Sequence, residues 1–286
     1  MNKIYRIIQY IQPWEIDDLA RQVHDMVQSS YYITENATVI WDVTMNTDMV
    51  NWETSKLPIE YFTSKFKYLK TLVNYYFTAE FCVDNNIKGC NDKRRNIVNT
   101  IQDYVIWLDS DVYFSKLNLP YLINATQHIN DALYIVSPQI IKYWDDSWNC
   151  LVNSQFINEP YNHRDYFDLY SLDNICSNND INIKQNTHIK FGGGWFNLFS
   201  NKVFEQILIP TELGSYGFDD LYVMLCSTKL NVKQYILNGI VVSEIGNKYL
   251  QNKNYIKTLL DIKISDNKKI SDLDFEQLIR KFYEEH

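Results

Sequence analysis

Tyr104-Val-Ile-Trp-Leu-Asp-Ser-Asp-Val-Tyr-Phe114 is the stretch that most restricts what this chain can fold into. Five apolar residues run directly into two carboxylates, Asp109 and Asp111. The run is short, β-branched and aromatic, and it follows the polar pair Gln102-Asp103, which predicts a buried strand rather than a helix. Parallel strands covered on both faces have this composition, and ligands bind at the carboxyl ends of such strands. Residues i and i+2 of an extended chain point the same way, so Asp109 and Asp111 can serve one site. Two close anions with no adjacent Lys or Arg need a cation, and oxygen ligands suit Mg²⁺ or Mn²⁺, ions that usually also hold substrate phosphates. A solvated strand-to-turn junction is the plainer alternative.

With 286 residues the chain is long enough for one large α/β domain or two modest ones, each with a full core. The net charge of −8 offers no general attraction to nucleic acid or to an anionic membrane, though a local basic site remains compatible with it. The cysteines Cys82, Cys90, Cys150, Cys176 and Cys226 are scattered and odd in number, which predicts reduced thiols in a cytoplasmic protein. The start of the chain has no signal-peptide pattern, and no apolar run approaches the ~20 residues of a membrane helix. Heavy use of Asn, Ile, Lys and Tyr points to an AT-rich genome and suits a viral source, hence a host cytoplasm.

Along the chain, strands are expected over 4–11, 38–43, 79–83, 132–138 and 235–242, the fourth stopping at Pro138. Helices are expected over 15–28 and 66–76, over 91–101 with Ile97, Val98 and Ile101 on its apolar face, and over 119–128. A further helix is expected to begin near Asn201, and the last, over 271–283, shows Phe275, Leu278, Ile279 and Phe282 on one side. The stretch 45–67 reads as a loop or insertion, and 142–188, with Trp144 and Trp148, as a functional loop region. Three of the eight glycines stand together in Lys190-Phe-Gly-Gly-Gly-Trp195, where backbone can approach a ligand or a neighbouring strand closely. In Gly217-Phe-Asp-Asp220 a turn hands two carboxylates to the start of a helix, a place the helix dipole favours for acids in any case. Arg94-Arg-Asn96 sits shortly before the Asp-Ser-Asp strand, suited to a nucleotide's base or phosphates and equally to a solvated helix end.

The order of these motifs says more than any one of them. Arg95-Asn96 followed by Tyr104–Asp111, then Phe191-Gly-Gly-Gly194 with Ser200 and Phe204, then Gly217-Phe-Asp-Asp220, resembles nucleotide-sugar glycosyltransferases of the GT-A fold. It is most similar to family 2 enzymes and to the C-terminal region of galactosyltransferase-like enzymes. The resemblance covers roughly residues 85–228 and the N-terminal strand–helix–strand order. It implies an α/β fold of the GT-A, Rossmann-like kind: a mixed, mostly parallel central sheet with helices on both faces, plus a C-terminal helix. A GT-A domain over 1–255 is expected, its nucleotide-binding part about 1–115 and its acceptor part about 116–255, followed by a helical tail over 256–286.

The resemblance also assigns roles. Asp42 would hydrogen-bond the nucleobase and Arg95 would contact the nucleotide. Asp109 would meet the ribose or the metal, and Asp111 would bind the metal that bridges the diphosphate. Gly193, Gly194 and Trp195 would shape the sugar and acceptor pocket. Asp220 matches the catalytic base, and Asp219, in place of the usual Glu, would hold the acceptor. The implied cofactor is Mn²⁺ or Mg²⁺. The implied reaction is transfer from a nucleotide-sugar, a UDP-sugar by resemblance, to a hydroxyl acceptor such as a glycan, and one base opposite the leaving group implies inversion. The metal-binding His usual after the last core strand is missing. Val241-Val-Ser-Glu244 stands there, so either Glu244 or water would fill the third position. The five histidines show no metal-ligand spacing. Two alternatives stay open: hydroxymethylated DNA bases as the acceptor, and a haloacid-dehalogenase-like phosphohydrolase, which also carries a strand ending in Asp-x-Asp.

Overall fold

The computed structural model describes residues 2–33, 36–48, 57–142, 182–185, 195–244, 270 and 272–286. Among the described residues nine strands form one sheet. Four parallel strands make its first half: β1 (Lys3–Ile11), β2 (Ala37–Met45), β3 (Thr78–Val83) and β4 (Tyr104–Leu108), in the order β3-β2-β1-β4. Also in this sheet are β5 (Val112–Tyr113), β6 (Tyr134–Lys142), β7 (Asn182–Gln185), β8 (Phe196–Ser200) and β9 (Lys233–Glu244). β8 lies antiparallel between β4 and β6, β9 runs parallel to β6, and β5 and β7 both pair antiparallel with β9.

Helices cover both faces. On one side α1 (Ile16–Ser29), α2 (Ile59–Asn74) and α4 (Asn118–Ala125) pack Leu19, Phe66 and Leu122 against Ile7, Trp41, Ile106 and Leu198 of the sheet. On the other, α5 (Asn201–Gln206), α6 (Asp219–Lys229) and α7 (Asp272–Glu285) pack Phe204, Val223 and Phe275 against Ile8, Val105, Trp107 and Phe199. The short α3 (Cys90–Arg95) lies beside β1 on this second side. β4 shows why its sequence is continuously apolar: Val105 and Trp107 fill the second core while Ile106 and Leu108 fill the first, and all four are buried. The C-terminal helix docks on α6 through Phe275 and Phe282, the face expected of it.

Three expected elements differ. α2 begins at Ile59, so its residues 59–67 are helix and not loop. Its buried stripe Phe62, Phe66, Leu69, Val73 has helical spacing but is diluted by exposed tyrosines. The expected helix over 91–101 ends at Arg95 and gives way to a 3₁₀ turn over Asn96–Asn99. Only Ile97 of its apolar trio is buried, while Val98 and Ile101 face solvent. β6 passes through Pro138 to Lys142. The ladder jumps there, pairing Pro138 with Leu237 and Gln139 with Val241, so the proline sits at a bulge where its missing N–H does no harm. The glycines 192–194 and the tryptophans 144 and 148 lie outside the described residues.

Replacing Phe62 by Ala should cost about 3–5 kcal/mol of unfolding free energy in urea titrations, because a buried phenylalanine is emptied into a cavity. Tyr68→Ala, on the exposed side of the same helix, should stay within about 0.5 kcal/mol.

Candidate active site

Parallel β1 to β4 deliver their carboxyl ends to one edge, and the turn after β4 holds Asp109 and Asp111 there. Because β8 runs antiparallel, its amino end comes to the same edge: Leu108 pairs with Phe196, and the Asp109 N–H donates to the Trp195 carbonyl at 3.0 Å. The start of α6 completes the cluster with Asp219 and Asp220.

One side chain ties these pieces together. Arg94, at the end of α3 and 6% exposed, donates from Nη1 to Asp219 Oδ2 at 2.5 Å and from Nη2 to Asp109 Oδ1 at 2.7 Å. Its guanidinium also lies 4.2 Å from the centre of the Trp107 ring. Burial by itself lowers the guanidinium pKa, but the Asp219 and Asp109 carboxylates outweigh it and push the pKa above the usual value.

The residues around Arg94 are placed with equal definition. Lys93 pairs with Asp42 at 2.5 Å, Arg6 reaches Asp42 at 3.5 Å, and Arg6 also pairs with Glu80. Asn91 donates from its side chain to the Gly217 carbonyl at 3.0 Å and from its backbone to the Ser215 carbonyl at 3.1 Å. Arg95 donates to the Pro210 carbonyl at 3.0 Å and to that of Gly214, and pairs with Asp92 at 2.6 Å. Gly89 touches the same loop so closely that a Cβ would stand 2.0 Å from the Ser215 carbonyl oxygen. This loop ends in two left-handed residues, Gly217 at φ 81° and Phe218 at φ 61°. For phenylalanine that backbone is strained, and it is held from both sides: Phe218 stacks on Phe275 of α7 at 4.8 Å, and its carbonyl accepts the Tyr222 N–H at 2.7 Å.

The electrostatics of the cluster follow from crowding. Burial raises the Asp109 pKa to about 7; Arg94 works against this, and Asp111, Asp219 and Asp220 add to it. Burial and then Asp219 raise Asp220 to about 6, opposed by Arg94 and by the Leu221 N–H, which donates to Asp220 Oδ1 at 2.7 Å. A carboxylate near pH 6, at the mouth of a strand edge, is suited to take and release a proton. Among the described residues no three His, Cys, Asp or Glu side chains are arranged as a ready-made metal cage. The oxygen donors and the repulsion at Asp109 nevertheless fit a hard divalent cation of the Mg²⁺ or Mn²⁺ kind, which keeps few protein ligands and shares phosphate oxygens.

The structure thus brings Asp109, Asp111, Asp219 and Asp220 together. Glu244 reaches this region through its backbone, pairing with Val112 beside the Asp-Ser-Asp turn. The Trp195 side chain is buried in the core, 4% exposed. Asp42 lies within an internal ion-pair chain, and Arg95 braces the loop before α6. Sequence reading grouped Arg94 with Arg95 and Asn96 as nucleotide contacts and gave the site role to Arg95, whereas it is Arg94 that meets Asp109 and Asp219. Two adjacent arginines in one short helix give no clue from spacing alone as to which turns inward, though the acidic residues expected downstream show that one of them needed to.

No family model matches the sequence and no curated protein is similar to it. Solved structures do resemble it. GalNAc-T7, solved with UDP, GalNAc and Mn²⁺, superposes with a TM-score of 0.55 at 11% identity over 85% of this chain and 44% of that one. The mannosyltransferase PcManGT from Pyrobaculum calidifontis, solved with GDP-Man and Mn²⁺, superposes with a TM-score of 0.51 at 11% identity over 98% of this chain and 69% of that one. The fold is GT-A. This chain spans less than half of the first neighbour and about two thirds of the second. The β4 edge with its acidic turn, the amino end of β8 and the start of α6 adjoin one another at one edge of this sheet.

Removing Arg94 leaves the buried Asp219 without its counter-charge. Arg94→Met should therefore cost about 3–5 kcal/mol in urea unfolding. The raised carboxylates predict the opposite of ordinary acid lability. A group at about 7 or about 6 when folded, against 3.8 for a free aspartate, holds its proton more tightly in the folded chain. Its stabilising contribution is complete below pH about 4 and is lost as pH rises through about 6 to 7. Thermal melts of the metal-free protein should show this decline, and the Asp109→Asn, Asp220→Asn double variant should flatten it across the same window.

Proposed function

We propose that this chain is a metal-dependent, inverting glycosyltransferase that moves a sugar from a nucleotide-sugar, a UDP-sugar first among candidates, to a hydroxyl acceptor such as a glycan. The observation that carries the reading is the joining of Asp109, next to Asp111, and Asp219, next to Asp220, by one buried guanidinium at the carboxyl edge of a GT-A sheet. That arrangement supplies a cation-attracting turn on one side and a carboxylate poised near neutral pH on the other. The neighbours solved with Mn²⁺ and a UDP or GDP-Man ligand support the same class of donor. The sheet topology and these neighbours favour transfer over phosphate hydrolysis.

In this reading Asp111 and Asp109 would hold Mn²⁺ or Mg²⁺, with Glu244 the candidate third ligand. The bound cation would supply Lewis-acid neutralisation of the departing diphosphate. Asp220 takes the proton of the acceptor hydroxyl as its oxygen bonds to the anomeric carbon. The bond from that carbon to the phosphate oxygen breaks on the opposite face, and its electron pair leaves with the nucleoside diphosphate. Asp219, fixed by Arg94, sits beside the base and would orient the acceptor. Arg94 also holds Asp109 and Asp219 near each other against their mutual repulsion, so the two halves of the site keep their spacing.

The test is release of nucleoside diphosphate from a panel of UDP-, GDP-, ADP- and TDP-sugars, with acceptor glycans, in Mn²⁺ and in EDTA. Release from one donor that EDTA abolishes is expected. Asp220→Asn should lower kcat by about 10²–10⁴ while nucleoside diphosphate binding persists. Asp111→Asn should lose metal-dependent binding itself. Turnover that survives both EDTA and Asp220→Asn would remove the proposal.

A further inference from the structure

A chain of buried hydrogen bonds runs from β2 across β1 and α1 to the acidic turn. The Trp41 indole N–H on β2 donates to Gln9 Oε1 at 3.1 Å, and Gln9 Nε2 on β1 donates to Gln22 Oε1 at 2.6 Å. Gln22 Nε2 on α1 then donates to the carbonyls of Asp109 at 2.9 Å, Val112 at 2.9 Å and Ser110 at 3.3 Å. Trp41 is fully buried, and Gln9 and Gln22 are each 1% exposed.

The direction of this chain is fixed at both ends. An indole N–H can only donate and a backbone carbonyl can only accept. Gln9 must therefore turn its oxygen to Trp41 and its nitrogen to Gln22, and Gln22 must turn its nitrogen to the turn. Neither amide can flip without breaking contacts in a place that water does not reach. The turn needs such help. Its own closing hydrogen bond, from the Val112 N–H to the Asp109 carbonyl, is long at 3.4 Å, and Asp111 and Asp109 repel each other across it.

From this geometry we infer that Gln22 is a positioning residue of the metal site: it clamps three carbonyls of the Asp109-Ser-Asp turn so that both carboxylates are presented to one divalent cation before substrate arrives. The inference rests on the glycosyltransferase reading and adds to it what sets the affinity for the ion. Groups that orient metal ligands from behind commonly contribute 10–100-fold in metal affinity. A role limited to satisfying buried carbonyls would show in stability and leave metal affinity alone.

The experiment measures Mn²⁺ binding in the presence of UDP, by the electron paramagnetic resonance signal of free Mn²⁺, and separately the Mn²⁺ concentration that gives half-maximal turnover. It compares the full chain with Gln22→Met, which keeps the length and removes the donors, and with Trp41→Phe, which leaves Gln22 in place and removes the far donor. All are held well below their melting temperatures. Gln22→Met should weaken Mn²⁺ binding about tenfold or more, with kcat recovered at saturating Mn²⁺, and Trp41→Phe should shift binding the same way by less. Should Gln22→Met fail to fold, the Trp41→Phe shift decides. Lower melting temperatures with Mn²⁺ affinity equal to wild type would overturn the inference and leave the glycosyltransferase reading standing. Absence of Mn²⁺ binding by the wild-type chain with any nucleoside diphosphate would overturn both.

Discussion

The guanidinium of Arg94 holds the functional end of this molecule together. Taking a guanidinium out of water is costly, and the structure offsets that cost with two carboxylates and the face of Trp107. Arg94 and those partners together join three separate stretches of chain: the end of α3, β4 with the turn after it, and the start of α6. The same short helix sends Lys93 to Asp42 on β2, Asn91 to Gly217 and Arg95 to the carbonyls before α6. Six residues thereby fix how the loop that carries Asp219 and Asp220 meets the sheet. The left-handed Phe218 is the consequence, a strained residue kept in place by Asn91 behind it and Phe275 above it.

That arrangement explains why the acidic groups can be near one another at all. Burial and three repulsive carboxylates outweigh the attraction of Arg94 at Asp109, so its proton is held up to about pH 7. In the proposed reading, a divalent cation and its diphosphate would relieve the repulsion at the Asp109-Ser-Asp111 turn, leaving Asp220 to exchange a proton with an acceptor, and the relief of that repulsion would add to affinity for the ion.

Much of this was legible in the residues. The Tyr104–Leu108 run announced a strand buried on both faces with carboxylates at its end, because only a two-sided core explains five apolar residues in a row. Gly217 and the acidic pair after it announced a turn into a helix. The less legible parts depend on tertiary contact. Which of the two arginines meets the acidic residues is set by how α3 packs: Arg94 reaches Asp109 and Asp219, while Arg95 reaches the Pro210 and Gly214 carbonyls. Asp42 looked like a ligand-facing acid at a strand end, yet β2 continues past it to Met45 and Lys93 and Arg6 close over it. Pro138 looked like a stop, and the bulge in β9 opposite it allows the strand to go on. Gln9 and Gln22 gave no sign at all, since a glutamine in a strand and one in a helix acquire meaning only when the two elements pack.

The central claim is that one divalent cation sits on the Asp109-Ser-Asp111 turn with a nucleoside diphosphate against it. Crystals of the protein grown with UDP and Mn²⁺, measured at the manganese absorption edge, test it most directly. The account predicts one strong anomalous peak within coordination distance of Asp111 and the diphosphate oxygens, with Arg94 still between Asp109 and Asp219. A manganese peak elsewhere, with the nucleotide bound away from the β4 edge, would contradict it.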